Sequence, residues 1–330
     1  MFVVEIIIGI VLLSIGASWL TDGASAIAKR LKVSEFLIGV TIVAVGTSMP
    51  EFVVSLQSAI AGQADVSIGN VVGSNIFNIY AILGLTTIIA PLPLTRQNER
   101  RDIPICLATT VLLCILALDG TLWGAEANIL SRVDGVALLL LYGLFLWYII
   151  RGGRKEMTAT EPAPKPQTTP TTDQKSHPVW LAVAMVGVGL GGLVWGSDLF
   201  LDGSIELARR LGLSEAVIGI VLVAAGTSLP ELFASIVPAL KGKSEIALGN
   251  ILGSNIANIL LILGTSATIT PLRLGGITWL DMAVMFSAVV AVLLSAFVLG
   301  RRRIVRVEGA LFLMIYICYT VWLFSGSSAL

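Results

Sequence analysis

The stretch GTSMPEFVVS, Gly46–Ser55, places a proline and a glutamate inside a run of residues apolar enough to cross a membrane. It returns 180 positions later as GTSLPELFAS, Gly226–Ser235, with Gly, Thr, Ser, Pro, Glu and Ser in the same order. Sliding the chain on itself by that offset aligns Gly16–Leu94 with Gly196–Leu274 without a gap, identical at roughly 35 of about 79 positions. The chain is built from two homologous halves, and whatever Glu51 does, Glu231 is expected to do as well.

Composition sets the medium. Of 330 residues 56% are hydrophobic and 13% charged, with a mean hydropathy of +0.92, far from soluble averages. This is the composition of an integral membrane protein, whose expected partners are the lipid bilayer and small ions. The formal net charge is zero, and nothing supports nucleic-acid binding or an obligate protein partner. Cys106, Cys114 and Cys318 lie in apolar runs without metal-ligand spacing, and the single histidine, His177, sits in a polar stretch. No cofactor is implied. The opening apolar run lacks a basic leader and continues into the repeated unit, so it reads as a first span.

Runs of about 20 apolar residues fall near 2–28, 35–60, 66–90, 103–119 and 132–151, then 179–207, 215–240, 246–271, 278–299 and 307–325. The expected fold is an all-α membrane protein of about ten transmembrane helices. Residues 1–151 form the first five-helix repeat and 178–330 the second. Between them, 152–177 is rich in Pro, Thr and charge and reads as a flexible linker. Lys29, Arg30, Lys32, Arg96, Arg100, Arg101, the linker cations, Lys241, Lys243, Arg301–Arg303 and Arg306 fall on one side of the membrane. Only Arg132, Arg209, Arg210 and Arg273 fall on the other. The first side is expected to be cytoplasmic, leaving both termini outside. An odd number of helices per half forces opposite insertion, the inverted repeat typical of secondary transporters with a midplane site.

Proline removes a backbone donor and Gly46 relaxes the turn before it, so each GTSxPE segment predicts a break. Carbonyls near Ala44 and Thr47 are expected to lose their intrahelical partners there. An ionised carboxylate at the bilayer centre costs about 2.5–3.5 kcal/mol. With no Lys, Arg or His mid-span near Glu51 or Glu231, the expected compensation is a proton or a bound cation, and freed carbonyls beside a carboxylate suit a hard cation.

A second repeated signature is GNVVGSNIFNI, Gly69–Ile79, with GNILGSNIANI, Gly249–Ile259. Asn70, Ser74 and Asn78 make one polar stripe with Asn75 alongside. Their oxygens could ligate Na+ or Ca2+ or could hydrogen-bond neighbouring helices, and the Gly pairs read as close-packing faces. Asp22 and Asp202 read as capping or hydrated residues near helix ends. Ser34 with Glu35, and Ser214 with Glu215, read as helix starts with an acidic first turn.

The doubled pair GTSxPE and GNxxGSNIxNI resembles the alpha repeats of the calcium/cation antiporter superfamily, within its sodium/calcium exchanger group, over nearly the whole chain outside the linker. The resemblance implies that Glu51 and Glu231 with the Thr47 and Thr227 carbonyls form the calcium site. It implies sodium sites at Ser48, Ser74 and the Ala44 carbonyl, and at Ser228, Ser254 and the Ala224 carbonyl. Asn78 and Asn258 match the midplane position beside the carboxylates. Several relatives carry Asp where this chain has Asn258, and in potassium-dependent members that acid is linked to potassium use. Compact size and the resemblance together point to a prokaryotic inner membrane.

The function these features imply is Ca2+/Na+ antiport by alternating access, with proton/calcium antiport at the same site as the alternative. An enzyme is not expected. An intramembrane aspartyl protease needs paired Asp in tyrosine-aspartate and GxGD motifs, and neither occurs. Inverted repeats with broken helices favour a carrier over a channel.

Overall fold

The computed structural model describes residues 2–117, 128–159, 178–211, 224–274, 277–297 and 302–327, with side chains left out for 153–159, 224–225 and 324–327. Expectations for linker residues 160–177, Ser214, Glu215 and Arg301 lie outside the described residues, as does the first part of the span expected at 215–240.

The described elements are almost all helical. They are α1 (Phe2–Leu31), α2 (Glu35–Thr47), α3 (Met49–Ile60), α4 (Ala64–Ile89), α5 (Ile103–Ala117), α6 (Arg132–Ala159), α7 (Val179–Arg210), α8 (Leu229–Leu240), α9 (Ser244–Ile269), α10 (Trp279–Phe297) and α11 (Arg306–Ser327). A single helical turn, Ala224–Thr227, leads into α8. Among the described residues seven helices are long and apolar enough to cross a membrane, and eight if the bent pair α2–α3 is one span. Of the expected spans, 103–119 has a 15-residue helix and 215–240 keeps only its later half within the described residues. α6 runs to Ala159, eight residues beyond the boundary expected at 151, because no proline or glycine stops it before Pro162 except the tolerated pair Gly152–Gly153.

Equivalent parts of the two halves pack on each other reciprocally. α1 and α7 cross antiparallel: a Cβ at Gly9 would meet Gly196 O at 2.8 Å and one at Gly16 would meet Gly189 O at 2.8 Å. Their counterparts return the contacts, Gly189 against Gly16 O at 2.8 Å and Gly196 against Gly9 O at 3.0 Å. Glycines every seven residues, at 9, 16 and 23 and at 189, 196 and 203, keep one face of each helix bare so that backbones touch. Since Gly9 and Gly189 are 180 apart, equivalent helices of the two halves point in opposite directions.

The same reciprocity appears in two short antiparallel ladders. Leu92–Pro93 pairs with Arg303–Ile304, and the equivalent Leu272–Arg273 pairs with Ile129–Leu130. Each ties a loop of one half to a loop of the other.

Two apolar bodies result. Leu13, Ala17, Leu20 and Ala24 of α1 pack with Val186 and Leu193 of α7, Val43 of α2 and Ala234 of α8. A larger core gathers α4, α5, α6, α9, α10 and α11, with α9 buried along nearly its whole length. Burying the polar Asn/Ser helices α4 and α9 deepest places the second signature at the centre of the protein.

Candidate cation site

The predicted break is present in both halves. α2 and α3 meet at a 48° bend, with Ser48 at φ −81°, ψ 10°, and Ser228 adopts φ −93°, ψ 10° at the same place in the second half. Pro50 and Pro230 fall in the first turn of α3 and α8, where a missing amide hydrogen costs nothing to the new helix. The break therefore makes a fresh helix N-terminus in mid-protein. Glu51 and Glu231 sit in that first turn, each 1% exposed. The positive helix end stabilises a carboxylate by about 0.3–1 kcal/mol, up to ~2 kcal/mol when partly buried. That falls short of the several kcal/mol an ion costs when buried, so further compensation is required.

It does not come from a basic side chain, since among the described residues neither glutamate has a Lys, Arg or His within 4.0 Å. Each is held instead by the serine at the other half's break. Ser48 Oγ donates to Glu231 Oε1 at 2.9 Å and Ser228 Oγ donates to Glu51 Oε1 at 2.8 Å. Among the described residues Glu51 Oε2 and Glu231 Oε2 are buried with no hydrogen-bond partner.

The asparagines on α4 and α9 behave likewise. Asn78 Nδ2 donates to Asn255 Oδ1 at 3.0 Å, and Asn258 Nδ2 donates to Asn75 Oδ1 at 3.1 Å. Asn75 and Asn255 in turn donate to each other's backbone carbonyls at 3.4 and 3.3 Å. These donors fix the amide orientations and leave Asn78 Oδ1 and Asn258 Oδ1 as buried acceptors without a donor among the described residues. These four oxygens, two on carboxyl groups and two on neutral amides, are of the type a hard cation prefers. Among the described residues there is no group of three His, Cys, Asp or Glu, so nothing resembles a soft-metal centre.

Thr47 and Ser74 are buried, Thr227 is half-buried, and Ser254 Oγ lies 3.5 Å from Ala44 O. The expectation of a freed Ala44 carbonyl needs correcting: it accepts Ser48 N–H at 3.0 Å and Thr47 Oγ at 3.3 Å. The carbonyl that proline actually frees stands four residues before it, at Gly46 and Gly226. Ser197 of α7 supplies the missing donor to Gly226 O at 2.7 Å. Asn70 and Asn250, which the sequence left open between cation ligation and hydrogen bonding to neighbouring helices, brace the backbone. Asn70 Nδ2 donates to Glu51 O and Ser55 Oγ at 3.2 and 2.9 Å, and Asn250 Nδ2 donates to Glu231 O and Ser235 Oγ at 3.3 and 3.0 Å. The recurrence of Ser55 and Ser235 within the repeat was the available signal for this brace.

The helical hydrogen-bond ladder also widens to π geometry at Phe77–Leu83 and Asn258–Leu263, which contain Asn78 and Asn258, and at Gly39–Val43 just before the break. Such widened turns concentrate at functional sites, and no residue pattern announced them.

A sequence model of the family described as sodium/calcium exchanger protein matches residues 1–151 and 181–325. The chain belongs to the sodium/calcium exchanger family. Its members are integral membrane proteins that exchange cations against Ca2+, and this assigns the coarse activity. The Alkalimonas amylolytica protein CaxA is 38% identical over 329 residues, spanning 97% of this chain and 98% of its own. The sodium/calcium exchanger MaX1 of Methanosarcina acetivorans is 32% identical over 345 residues, 97% of both chains. Among solved structures, the sodium-calcium exchanger NCX_Mj soaked with Na+ and Ca2+ superposes with a TM-score of 0.80 at 32% identity, covering 97% of each chain. The exchanger fold thus extends over nearly the whole polypeptide.

Proposed function

We propose that this exchanger moves Ca2+ against Na+ by alternating access, with Glu51 and Glu231 as the paired charges that every cargo must neutralise. The observation carrying this reading is the two buried carboxylates, each gripped on one oxygen by the opposite half's serine and bare of partners on the other. Their combined charge of about −2 balances one Ca2+ or two Na+, so the two cargoes exclude each other. The ligand set comprises Glu51, Glu231, the Thr47 and Thr227 carbonyls, and the Asn78 and Asn258 side chains. Ser48, Ser74, Ser228, Ser254 and the Ala44 and Ala224 carbonyls supply neutral oxygens for the smaller charge. A third Na+ would need dipoles or water to offset its charge.

In this account two inverted repeats, 1–151 and 178–330, are joined by a cytoplasmic linker, both termini face outward, and the protein resides in a prokaryotic inner membrane. The glycine-lined pair α1–α7 slides as one body across the larger core and opens the site to each side in turn. Proton/calcium exchange at the same carboxylates is the competing reading, because a proton also neutralises a glutamate that lacks a basic partner. Uptake of radioactive calcium into proteoliposomes under an outward sodium gradient, with an outward proton gradient as the parallel arm, separates them. Sodium-driven uptake is expected; uptake driven by protons alone transfers the protein to the proton-coupled class.

A further inference from the structure

Among the described residues nine buried side-chain oxygens lack a hydrogen-bond partner, and six of them fall into three pairs at the 180-residue offset: Glu51 with Glu231, Asn78 with Asn258, and Thr86 with Ser266. The first two pairs belong to the candidate cation site and the third does not. Ser67 and Thr87 also lack partners, but their equivalents are Ala247 and Ala267, so those hydroxyls are not repeated. Thr86 and Ser266 are each 0% exposed. A helical hydroxyl this deep usually donates to a carbonyl one turn back, as Thr265 does to Leu261 O and Thr268 to Gly264 O, both at 2.7 Å. Thr86 and Ser266 make no such bond.

The widened turns set the direction of these two residues. Thr86 stands eight positions after Asn78 and Ser266 eight after Asn258, roughly 12 Å along a helix. On a regular α-helix that spacing turns two side chains about 80° apart. The π stretches Phe77–Leu83 and Asn258–Leu263 intervene, and one extra residue absorbed in each reduces the angle to about 20°. Thr86 thereby shares the face of Asn78, and Ser266 that of Asn258. Thr87 is turned elsewhere, since a Cβ at Gly309 of α11 would lie 3.0 Å from its Cβ. The turn Gly84–Ile89 also packs on α8, which carries Glu231, and Gly264–Ile269 packs on α3, which carries Glu51. Because equivalent helices of the two halves point in opposite directions, the two hydroxyls lie on opposite sides of the cation site.

We propose that Thr86 and Ser266 are cation ligands of the two exit routes, one toward each membrane face. The hydroxyl oxygen takes a place on the cation after it leaves the carboxylates and before water completes its shell. A neutral oxygen suits a hard cation in passage, because a way station must bind well enough to admit the ion and weakly enough to release it. A carboxylate at the same position would hold a divalent ion too firmly. Thr86 serves the face that carries Arg96, Arg100 and Arg101, which follow α4 in the chain, and Ser266 serves the opposite face. This inference rests on the reading of Glu51 and Glu231 as cargo ligands and is independent of the counter-ion.

Radioactive calcium uptake by oriented membrane vesicles that hold the full chain and are preloaded with unlabelled calcium tests it, since calcium-for-calcium exchange needs no counter-ion. Thr86→Val should raise the half-saturating calcium concentration roughly tenfold in everted vesicles, whose outer surface is the Arg96 face in the orientation proposed above. Right-side-out vesicles of the same variant should stay near wild type. Ser266→Ala should do the reverse. Thr86→Ser, which keeps the hydroxyl, should match wild type, and Thr87→Val should change neither face. Were the chain inserted the other way, both variants would exchange vesicle types together and the proposal would stand. Wild-type uptake no greater than that of Glu51→Gln overturns the carboxylate reading and this inference with it. With normal wild-type uptake, three results overturn this inference alone: equal shifts at both faces, no shift in either variant, or a loss in Thr86→Ser as large as in Thr86→Val.

Discussion

Ser228 Oγ lies 2.8 Å from Glu51 Oε1, a hydrogen bond between residues at the two helix breaks and 177 positions apart in sequence. Its mirror, Ser48 to Glu231, makes each carboxylate a joint product of both halves. Hydrogen bonds to a charged group contribute about 1.5–3 kcal/mol. Ser228→Ala should therefore weaken Ca2+ binding by roughly tenfold or more while leaving the helix break intact. Isothermal titration on the purified variant measures this, and unchanged affinity would mean the serines do not orient the site.

Asn258→Asp probes the neutral pair. Asn258 Nδ2 donates to Asn75 Oδ1 at 3.1 Å, and a carboxylate there can only accept. Two facing acceptors cost about 1–3 kcal/mol, so the variant without Ca2+ should melt a few degrees lower. A third negative charge should make the Ca2+-induced rise in Tm larger than in wild type. Thermal shift with and without Ca2+ reads both effects, and an unaltered Ca2+ response would remove Asn258 from the ligand set.

The glycine seam makes a sharper prediction about packing. A Cβ at Gly16 would stand 2.8 Å from Gly189 O, whereas at Gly143 on α6 nothing lies within 4 Å. Gly16→Ala should destabilise the protein by about 1–3 kcal/mol through overpacking, and Gly143→Ala should be neutral or mildly stabilising through helix propensity. Comparable melting of the two variants would contradict a close α1–α7 backbone contact.

Lys241, at the end of α8, donates to Asp22 Oδ1 and Oδ2 at 2.8 Å and to Ser18 Oγ at 2.7 Å, pinning α1 to the second half. Its equivalent in the first half is Ala61, so the clasp is one-sided. A partly exposed pair adds only about 0–1 kcal/mol, yet an equilibrium between two positions of α1 responds to that much. Lys241→Asp should shift spin-label distances between α1 and α8 towards longer values, and Asp22→Lys in the same chain should restore them. Unmoved distances would show that α1 is held by packing alone.

The buried carboxylates and amides were legible because they are written twice. Glu51 and Glu231, the prolines and the asparagines stand at one fixed offset, and a carboxylate without a cation in an apolar run demands a reason. Ser34 likewise caps the turn it was expected to cap, accepting from Leu37 N–H at 3.2 Å. Other features were hidden because they depend on tertiary partners. Asp22, read as a hydrated residue near a helix end, lies inside the 30-residue α1 and binds Lys241, a residue 219 positions away. Glu35, read as an acidic helix start, also accepts from Lys243 Nζ at 2.6 Å and from Ser25 Oγ at 2.8 Å. The seven-residue glycine spacing in α1 and α7 gains its meaning only when the two helices are seen crossing antiparallel. The freed carbonyl, expected near Ala44 and Thr47, falls between them, since the i−4 geometry points from Pro50 to Gly46 and the Ala44 carbonyl keeps its donor.

Equilibrium binding of radioactive calcium to the purified chain in detergent, in wild type, Glu51→Gln and Glu231→Gln, with sodium as competitor, tests the shared carboxylate site most directly. The account predicts saturable Ca2+ binding displaced by Na+ in wild type and lost in both variants, because removing either charge leaves a divalent cargo uncompensated. Binding that survives in either variant, or that sodium fails to displace, would contradict a site built jointly from the two halves.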